Sequence, residues 1–537
     1  MKTILKLSVM AIGAALLSAC SGELLNTESR TAPTADFLYT SPEGLQKAIV
    51  GLYDKDREIV TSSVDNEGAE MYSVIMLDYC TDLMLFRSGT AATFARLNNF
   101  KTSTNLFNSY WKLYYSIIGK ANEIIAGARG QGLDNEKVAQ IYGEACCFRA
   151  RAYFMLFQRY ERLYLNVEPT SIDNAFGRTF RAAGRDEIFT QIKSDLSEAI
   201  KYLDWKLPSN GTMVEYGRLT QGVARHIRAQ VAMWEEDWSE AAAQVDTIFA
   251  NGTHRMAASA AAVFNNADYT DPEVLYAFQF SDKPGGGNSV SGGVTSGHRL
   301  SLIVTAGYKG ISGFIESNEY GGYGWGRVYP NSYLLGLYDK NKDRRYTELF
   351  QHEWYYNDPQ SAKYGQLFVP TATQYISNAH PCSVKHMDKW THQDNPALRS
   401  SFKDVMVYRL AETALIGCEA YFHKEGGNSA KALEYYNKTW QRAGNNRFNG
   451  PLTLDIILDE TARECHFEGV RWNQLKRLGL LGERVRAHAG DTVADDPKLP
   501  SDYAEARANF SDSRDWRWPI PQTQLDLMPG FGQNAGW

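Results

Sequence analysis

The clearest indication of the fold class comes from the stretch from Thr220 to Ile248, TQGVARHIRAQVAMWEEDWSEAAAQVDTI. Apolar residues recur at helical spacing on both sides of a short turn at Glu236-Asp237. Thr220 stands where it can cap the first helix, and alanines occupy the positions where the two helices would cross. The stretch therefore predicts two helices that pack against each other.

Similar helical patterns recur along the chain. They cover 42–52, 110–128, 135–162 and 186–203 before this stretch, and 407–422, 430–440 and 454–478 after it. Small residues at the crossings and an aromatic at the turn resemble a tetratricopeptide repeat, whose helix pairs stack on their neighbours to bury their apolar faces. The sequence predicts a mainly α protein built from such pairs.

The composition of the 537 residues restricts the classes of ligand that are expected. Hydrophobic residues make up 44%, charged residues 22%, and the net charge is -6, with no run of basic residues. A basic surface for nucleic acid is therefore not expected. The chain carries 31 Tyr, 24 Phe and 12 Trp, and tyrosines in such number favour rings whose hydroxyls meet water or a polar ligand.

The first twenty residues resemble a bacterial lipoprotein signal. Lys2 and Lys6 precede a short apolar stretch over 7–17, and Leu17-Ser18-Ala19-Cys20 matches a lipobox. This predicts a signal peptide over 1–19, acylation of Cys20 and a polar tether over 20–40, which would anchor the protein to lipid. The alternative is an ordinary secretory signal with an incidental cysteine.

The remaining six cysteines and the ten histidines show no metal-ligand spacing. We expect the cysteines to be small buried apolar residues, and we expect neither a metal site nor a cofactor.

A fifty-residue stretch, 281–330, differs from the rest because it contains thirteen glycines and six aromatic rings. A helix cannot hold so many glycines at low cost, and long irregular segments are often functional. Its run Gly321-Gly322-Tyr323-Gly324-Trp325-Gly326 lacks the flanking strand and helix of a nucleotide-binding fingerprint. Rings between glycines can instead lie flat and exposed.

Six separated motifs carry a family resemblance. They are Ala121-Asn122 with Ile124-Ile125, Gly143-Glu144-Ala145 with Phe148-Arg149-Ala150, Asp343-Arg344, Arg409-Leu410-Ala411-Glu412 with Cys418-Glu419-Ala420, Glu464 through Phe467-Glu468-Gly469 to Arg471-Trp472, and the C-terminal Arg517-Trp518-Pro519-Ile520-Pro521 with Gln533-Asn534-Ala535-Gly536-Trp537. Together with the lipobox they resemble the SusD/RagB family of Bacteroidetes outer-membrane lipoproteins. We interpret Glu412, Glu419, Glu468 and Arg471 as structural, and residues 518–521 as an extended docking strap.

The resemblance implies a fold and a function. The fold is a scaffold of about four tetratricopeptide-like helix pairs, with a loop-rich, short-strand subdomain on the ligand side. Residues 41–537 would form one domain, with helical repeats over about 41–280 and 400–480, the loop-rich insertion over about 281–400 and the C-terminal strap over 481–537. The function is capture of oligosaccharides at the cell surface, for delivery to a SusC-like TonB-dependent transporter, without enzyme activity.

Two segments are candidates for the ligand site. In the glycine-rich run, the family resemblance favours Trp325, with Tyr320, Tyr323 and Arg327 beside it. The segment Thr81-Asp82-Leu83-Met84-Leu85-Phe86-Arg87 resembles the family's N-terminal ligand-side segment, and its candidates are Asp82, Phe86 and Arg87. A sugar offers a C–H face for a ring and hydroxyls for polar side chains.

Three other functions stay open from the sequence. The protein could capture peptides as a RagB-like relative, or bind only proteins as a helical-repeat adaptor. A glycoside hydrolase would need two carboxylates about 5–10 Å apart, and no catalytic motif supports one.

Overall fold

The computed structural model describes residues 35–61, 78, 80–86, 97, 101–171, 179–206, 217–283, 286–287, 289–291, 294–391, 395, 399–490 and 505–537. The predicted signal peptide, Cys20 and the first part of the tether lie outside these residues, as does Arg87. None of the helices in these ranges combines the length and the apolar character needed to cross a bilayer.

Helices dominate the described residues. They are α1 (Ala35–Thr40), α2 (Pro42–Thr61), α3 (Asn105–Gln131), α4 (Glu136–Tyr160), α5 (Arg185–Tyr202), α6 (Gln221–Trp234), α7 (Trp238–Asn251), α8 (Leu300–Val304), α9 (Ser332–Gly336), α10 (Arg345–Glu348), α11 (Ala372–Asn378), α12 (Leu410–Glu425), α13 (Ala430–Trp440), α14 (Leu454–Cys465), α15 (Arg471–Arg477), α16 (Leu481–His488), α17 (Glu505–Asn509) and α18 (Gln522–Leu525).

Short strands form four two-stranded antiparallel sheets. The strands are β1 (Met84–Phe86), β2 (Val274–Phe278), β3 (Ser289–Ser291), β4 (Val294–Ser296), β5 (Val328–Pro330), β6 (Phe350–Gln351), β7 (Cys382–Ser383) and β8 (Val405–Arg409). The pairs are β1 with β5, β2 with β8, β3 with β4, and β6 with β7.

Four pairs of consecutive helices build the scaffold, which confirms the predicted fold class. The pairs are α2/α3, α4/α5, α6/α7 and α12/α13, and each packs on the next. Helix α7 contacts α12 directly although 158 residues separate them, so the scaffold continues across the insertion that holds the short strands. At that crossing a Cβ on Gly417 would lie 2.7 Å from the Val245 side chain, so a small residue allows the close approach.

The turn between α6 and α7 follows the sequence prediction in outline. Glu236 adopts a positive φ of 59°, and the Asp237 carboxylate caps α7 by accepting the backbone N–H of Glu240. Thr220 does occupy the N-cap position of α6, but its side chain makes no capping hydrogen bond.

Two predicted helices have different boundaries. The pattern over 407–422 begins as strand β8, and α12 starts at Leu410. The single helix predicted over 454–478 is two helices, α14 and α15, because Phe467 and Gly469 both adopt positive φ and turn the chain. This break gives α15 a new direction.

Buried ion pairs join the elements, as we predicted for the charged motif residues. Arg409 contacts Glu464 at 2.7 Å and Glu468 at 2.6 Å, and Arg477 contacts Glu419 at 2.7 Å. Arg149 does not pair with Glu144 but with Asp195 of α5, through two hydrogen bonds of 2.6 and 2.8 Å. The six described cysteines are all buried, as expected.

We expect acid to destabilise the fold through His386, which is 5% exposed and donates from Nε2 to the Phe467 carbonyl at 2.6 Å. Burial is the main reason that its pKa is lowered from 6.5 to about 3. The unfolded chain therefore binds one more proton than the folded chain between these values, so stability is lost as the pH falls from about 6.5 towards 3.

The measurement is urea unfolding at several pH values. A difference of one bound proton changes the unfolding free energy by about 1.4 kcal/mol per pH unit. The His386→Gln variant should lack this contribution to the slope of unfolding free energy against pH between pH 6 and 4. Identical slopes for the two proteins would contradict the assignment.

Candidate functional site

The glycine-rich run over 321–327 is fixed to helix α8 through its backbone. The N–H groups of Trp325 and Arg327 donate to the carbonyls of Leu302 and Ile303 at 2.8 and 2.9 Å. At the start of the run, the Ser301 and Tyr308 hydroxyls donate to the carbonyls of Gly321 and Gly322 at 3.2 and 2.7 Å. The run is thus irregular in secondary structure but held along its length by hydrogen bonds.

Two glycines make this close approach possible. A Cβ on Gly324 would lie 2.2 Å from the Ala306 carbonyl oxygen, which is too close for any side chain. Gly326 has a φ of 56°, and a Cβ there would lie 2.6 Å from Nε2 of His380. Because these glycines have no side chain, the backbone can lie directly against residues 302–307, and Tyr323 and Trp325 remain at the surface.

Tyr323 and Trp325, which we call the ring platform, are both half-buried. Trp325 packs one part of its indole against the main core. The Arg327 guanidinium lies 4.2 Å from the centre of that ring, and Arg399 lies 4.8 Å from the centre of the Tyr323 ring. Three of the predicted residues, Tyr323, Trp325 and Arg327, therefore come together at one accessible place.

Tyr320 does not belong to the accessible surface. Its side chain is 2% exposed and packs on Tyr308 and Trp354. Its hydroxyl donates to the Tyr355 carbonyl at 3.0 Å and accepts from the Tyr355 N–H at 2.9 Å. We therefore reassign Tyr320 from ligand contact to support, because it ties the glycine-rich run to the segment around Tyr355.

Asp82 and Phe86 are also buried, which argues against the ligand contacts predicted for them. Asp82 is 0% exposed and accepts two hydrogen bonds from the Arg471 guanidinium, at 2.6 and 2.9 Å. Phe86 is 4% exposed in strand β1, which pairs with β5 just after the ring platform. We therefore reassign both residues from ligand contact to structural support.

A hairpin-like segment over 354–368 adds exposed rings that the sequence reading missed. The Phe368 N–H donates to the Trp354 carbonyl at 2.7 Å, and Tyr355 bridges to Leu367. Tyr355 is 41% exposed and Tyr364 is 59% exposed. The signal in the sequence was the run Trp354-Tyr355-Tyr356, which alternates between core and surface.

A cavity of about 110 Å³ lies on the helical side, between α4, α6, α12 and α15. Charged side chains line it, but these have partners within the protein: Glu419 forms an ion pair with Arg477, and Glu412 accepts a hydrogen bond from the Gln230 side chain. We assign this cavity to helix packing. Nowhere in the described ranges do three or more His, Cys, Asp or Glu side chains form a group that could hold a metal ion.

Two family models match the chain. The model described as "SusD family" matches residues 272–537, and the one described as "Starch-binding associating with outer membrane" matches residues 29–213. Among curated proteins, SusD-like protein P2 of Formosa agariphila is 25% identical over 474 residues, which cover 82% of this chain and 84% of that protein.

Solved structures share the fold. A SusD homolog from Bacteroides thetaiotaomicron superposes with a TM-score of 0.75 at 18% identity, covering 95% of this chain and all of that chain. Surface glycan-binding protein A from the same species, in complex with laminarihexaose, has a TM-score of 0.70 at 19% identity, covering 92% and 99%. The family models, the relatives and the architecture agree, and the chain belongs to the SusD/RagB family.

Proposed function

We propose that this protein is a cell-surface glycan-binding lipoprotein, which captures oligosaccharides on the ring platform and delivers them to a SusC-like TonB-dependent transporter. The observation that carries the proposal is Trp325, a half-buried indole held in place by a backbone that is hydrogen-bonded to helix α8. Acylation of Cys20 would anchor the protein in the outer membrane.

The chemistry of the site suits a sugar. The C–H face of a pyranose packs on an aromatic ring, and by analogy with aromatic pairs we expect each such contact to contribute about 0.5–1.5 kcal/mol beyond the buried area. A few contacts of this kind give affinities of about mM to μM. Many copies anchored over one polysaccharide would raise the avidity well above this value.

The comparisons support a glycan rather than another ligand. One matching family is described as starch-binding, and a protein with the same fold was solved with laminarihexaose. A RagB-like role in peptide capture would instead rely on backbone pairing. We favour the glycan because the accessible groups of the site are rings and guanidinium groups. We also propose that the protein has no enzyme activity.

The proposal is tested by replacing Trp325. A glycan array first identifies an oligosaccharide that the protein binds, and calorimetry then measures its affinity. We expect Trp325→Ala to weaken binding by about tenfold or more, and Trp325→Phe to retain most of the affinity, because a ring still fills the position.

Trp205 provides a matched control on the helical scaffold. It is half-buried and lies under Arg225, whose guanidinium is 5.6 Å from the ring centre. Trp205→Ala should leave the affinity unchanged. Equal affinities of the Trp325→Ala variant and the unchanged protein would refute the proposed site.

A further inference from the structure

Three arginines surround the ring platform. Arg327 and Arg299 place their guanidinium carbons 4.2 and 5.9 Å from the centre of the Trp325 ring, and Arg399 lies 4.8 Å from the centre of the Tyr323 ring. They come from three separate segments of the chain, so the fold, and not a local run of basic residues, collects them here.

Two of these arginines, Arg299 and Arg399, are not balanced by a carboxylate among the described residues. In the parts of the chain that the structure covers, neither Arg299 nor Arg399 forms an ion pair, whereas the buried arginines Arg345, Arg409 and Arg471 all contact carboxylates. The two carboxylates just before the glycine-rich run interact with other cations: Glu316 pairs with Lys309, and Glu319 interacts with Lys389. In a protein of net charge -6, Arg299 and Arg399 thus add positive charge beside the ring platform.

A guanidinium stacked on a ring keeps its N–H edges available in the plane of the group. These edges match the two oxygens of a carboxylate or sulfate, and stacking limits the conformations that must be lost when the anion binds. A neutral sugar would use the rings without needing the charges.

We propose that the ligand is an anionic oligosaccharide, whose carboxylate or sulfate groups bind Arg299 and Arg399 while its sugar rings contact Trp325 and Tyr323. This inference rests on the proposed glycan-binding function and names the class of glycan.

The experiment compares the affinity of the full protein for charged oligosaccharides and for their neutral counterparts. The probes are oligogalacturonates with their carboxyl-reduced forms, sulfated oligosaccharides with their desulfated forms, and neutral laminarihexaose. We expect at least one charged probe to bind about tenfold more tightly than its neutral form in 50 mM NaCl. The ratio should shrink in 500 mM NaCl, because salt screens exposed charges. The two pairs of probes separate carboxylate from sulfate recognition.

Variants separate this inference from the proposed function. The double variant Arg299→Gln, Arg399→Gln should lose most of the preference for the charged probe, whereas Arg225→Gln, a matched arginine over Trp205, should keep it. If charged and neutral probes bind equally and Trp325→Ala weakens both, the inference fails and the proposed function stands. If a charged probe binds but Trp325→Ala does not weaken it, the proposed site itself fails. A charge preference that survives the double variant would also overturn the inference.

Discussion

The Asp82→Ala variant is expected to lose about 3–5 kcal/mol of unfolding free energy, because it leaves the Arg471 guanidinium buried without its counter-charge. Asp82 and Arg471 are 0% and 1% exposed and share two hydrogen bonds of 2.6 and 2.9 Å. Arg471 also donates to the Leu458 carbonyl at 2.8 Å, so the pair joins the segment around β1 to both α14 and α15.

Urea unfolding at neutral pH measures this loss. The surface pair of Arg57 with Asp54, whose carboxylate is 62% exposed, offers a control, and Asp54→Ala should cost less than about 1 kcal/mol. The double variant Asp82→Leu, Arg471→Met should be more stable than Asp82→Ala, since it removes the uncompensated charge. If Asp82→Ala abolished glycan binding at unchanged stability, our reassignment of Asp82 from ligand contact to structural support would be wrong.

The Trp518→Ala variant is expected to lose a similar amount, about 3–5 kcal/mol, through the cavity that it leaves. Trp518 is 6% exposed, and its ring centre lies 5.2 Å from that of Phe107 and 5.0 Å from that of Tyr110. The backbone N–H of Trp518 donates to the Arg159 carbonyl at 2.7 Å, and the Asn534 side-chain amide donates to the Trp518 carbonyl at 2.7 Å. The segment around Trp518 therefore packs against helices α3 and α4.

The control for Trp518 lies in the same strap. Leu527 is 68% exposed, and Leu527→Ala should change the unfolding free energy by less than about 0.5 kcal/mol. Thermal unfolding monitored by circular dichroism reports both variants. If the Trp518→Ala variant had the stability of the Leu527→Ala variant, the strap would not be part of the cooperative core.

The helical scaffold could be predicted because its signals are local. The apolar spacing through Ile188, Ile192 and Leu196, for example, is typical of a helix whatever lies against it, and these three residues are buried in α5. The break between α14 and α15 could not be read in this way, because Phe467 takes up a positive φ that its residue type disfavours. Contacts elsewhere impose that turn: the Phe467 N–H donates to Asp78 at 2.8 Å.

The site could be predicted in part. Trp325 and Tyr323 lie between glycines, a local pattern that predicts exposed rings, and the structure leaves both rings half-buried. Asp82 was misread because its partner, Arg471, lies 389 residues away, and a sequence does not show which carboxylates a fold will bury. Tyr355 and Tyr364 could not be predicted as exposed rings, because their exposure depends on a hairpin that the sequence pattern does not indicate.

A crystal structure of the protein with an oligosaccharide that it binds tests the central claim most directly. We expect a sugar ring in van der Waals contact with the indole of Trp325, about 4 Å away, with its polar groups directed towards the surrounding arginines. An oligosaccharide bound elsewhere, for example in the cavity between α4 and α15, with Trp325 uncontacted, would contradict the account.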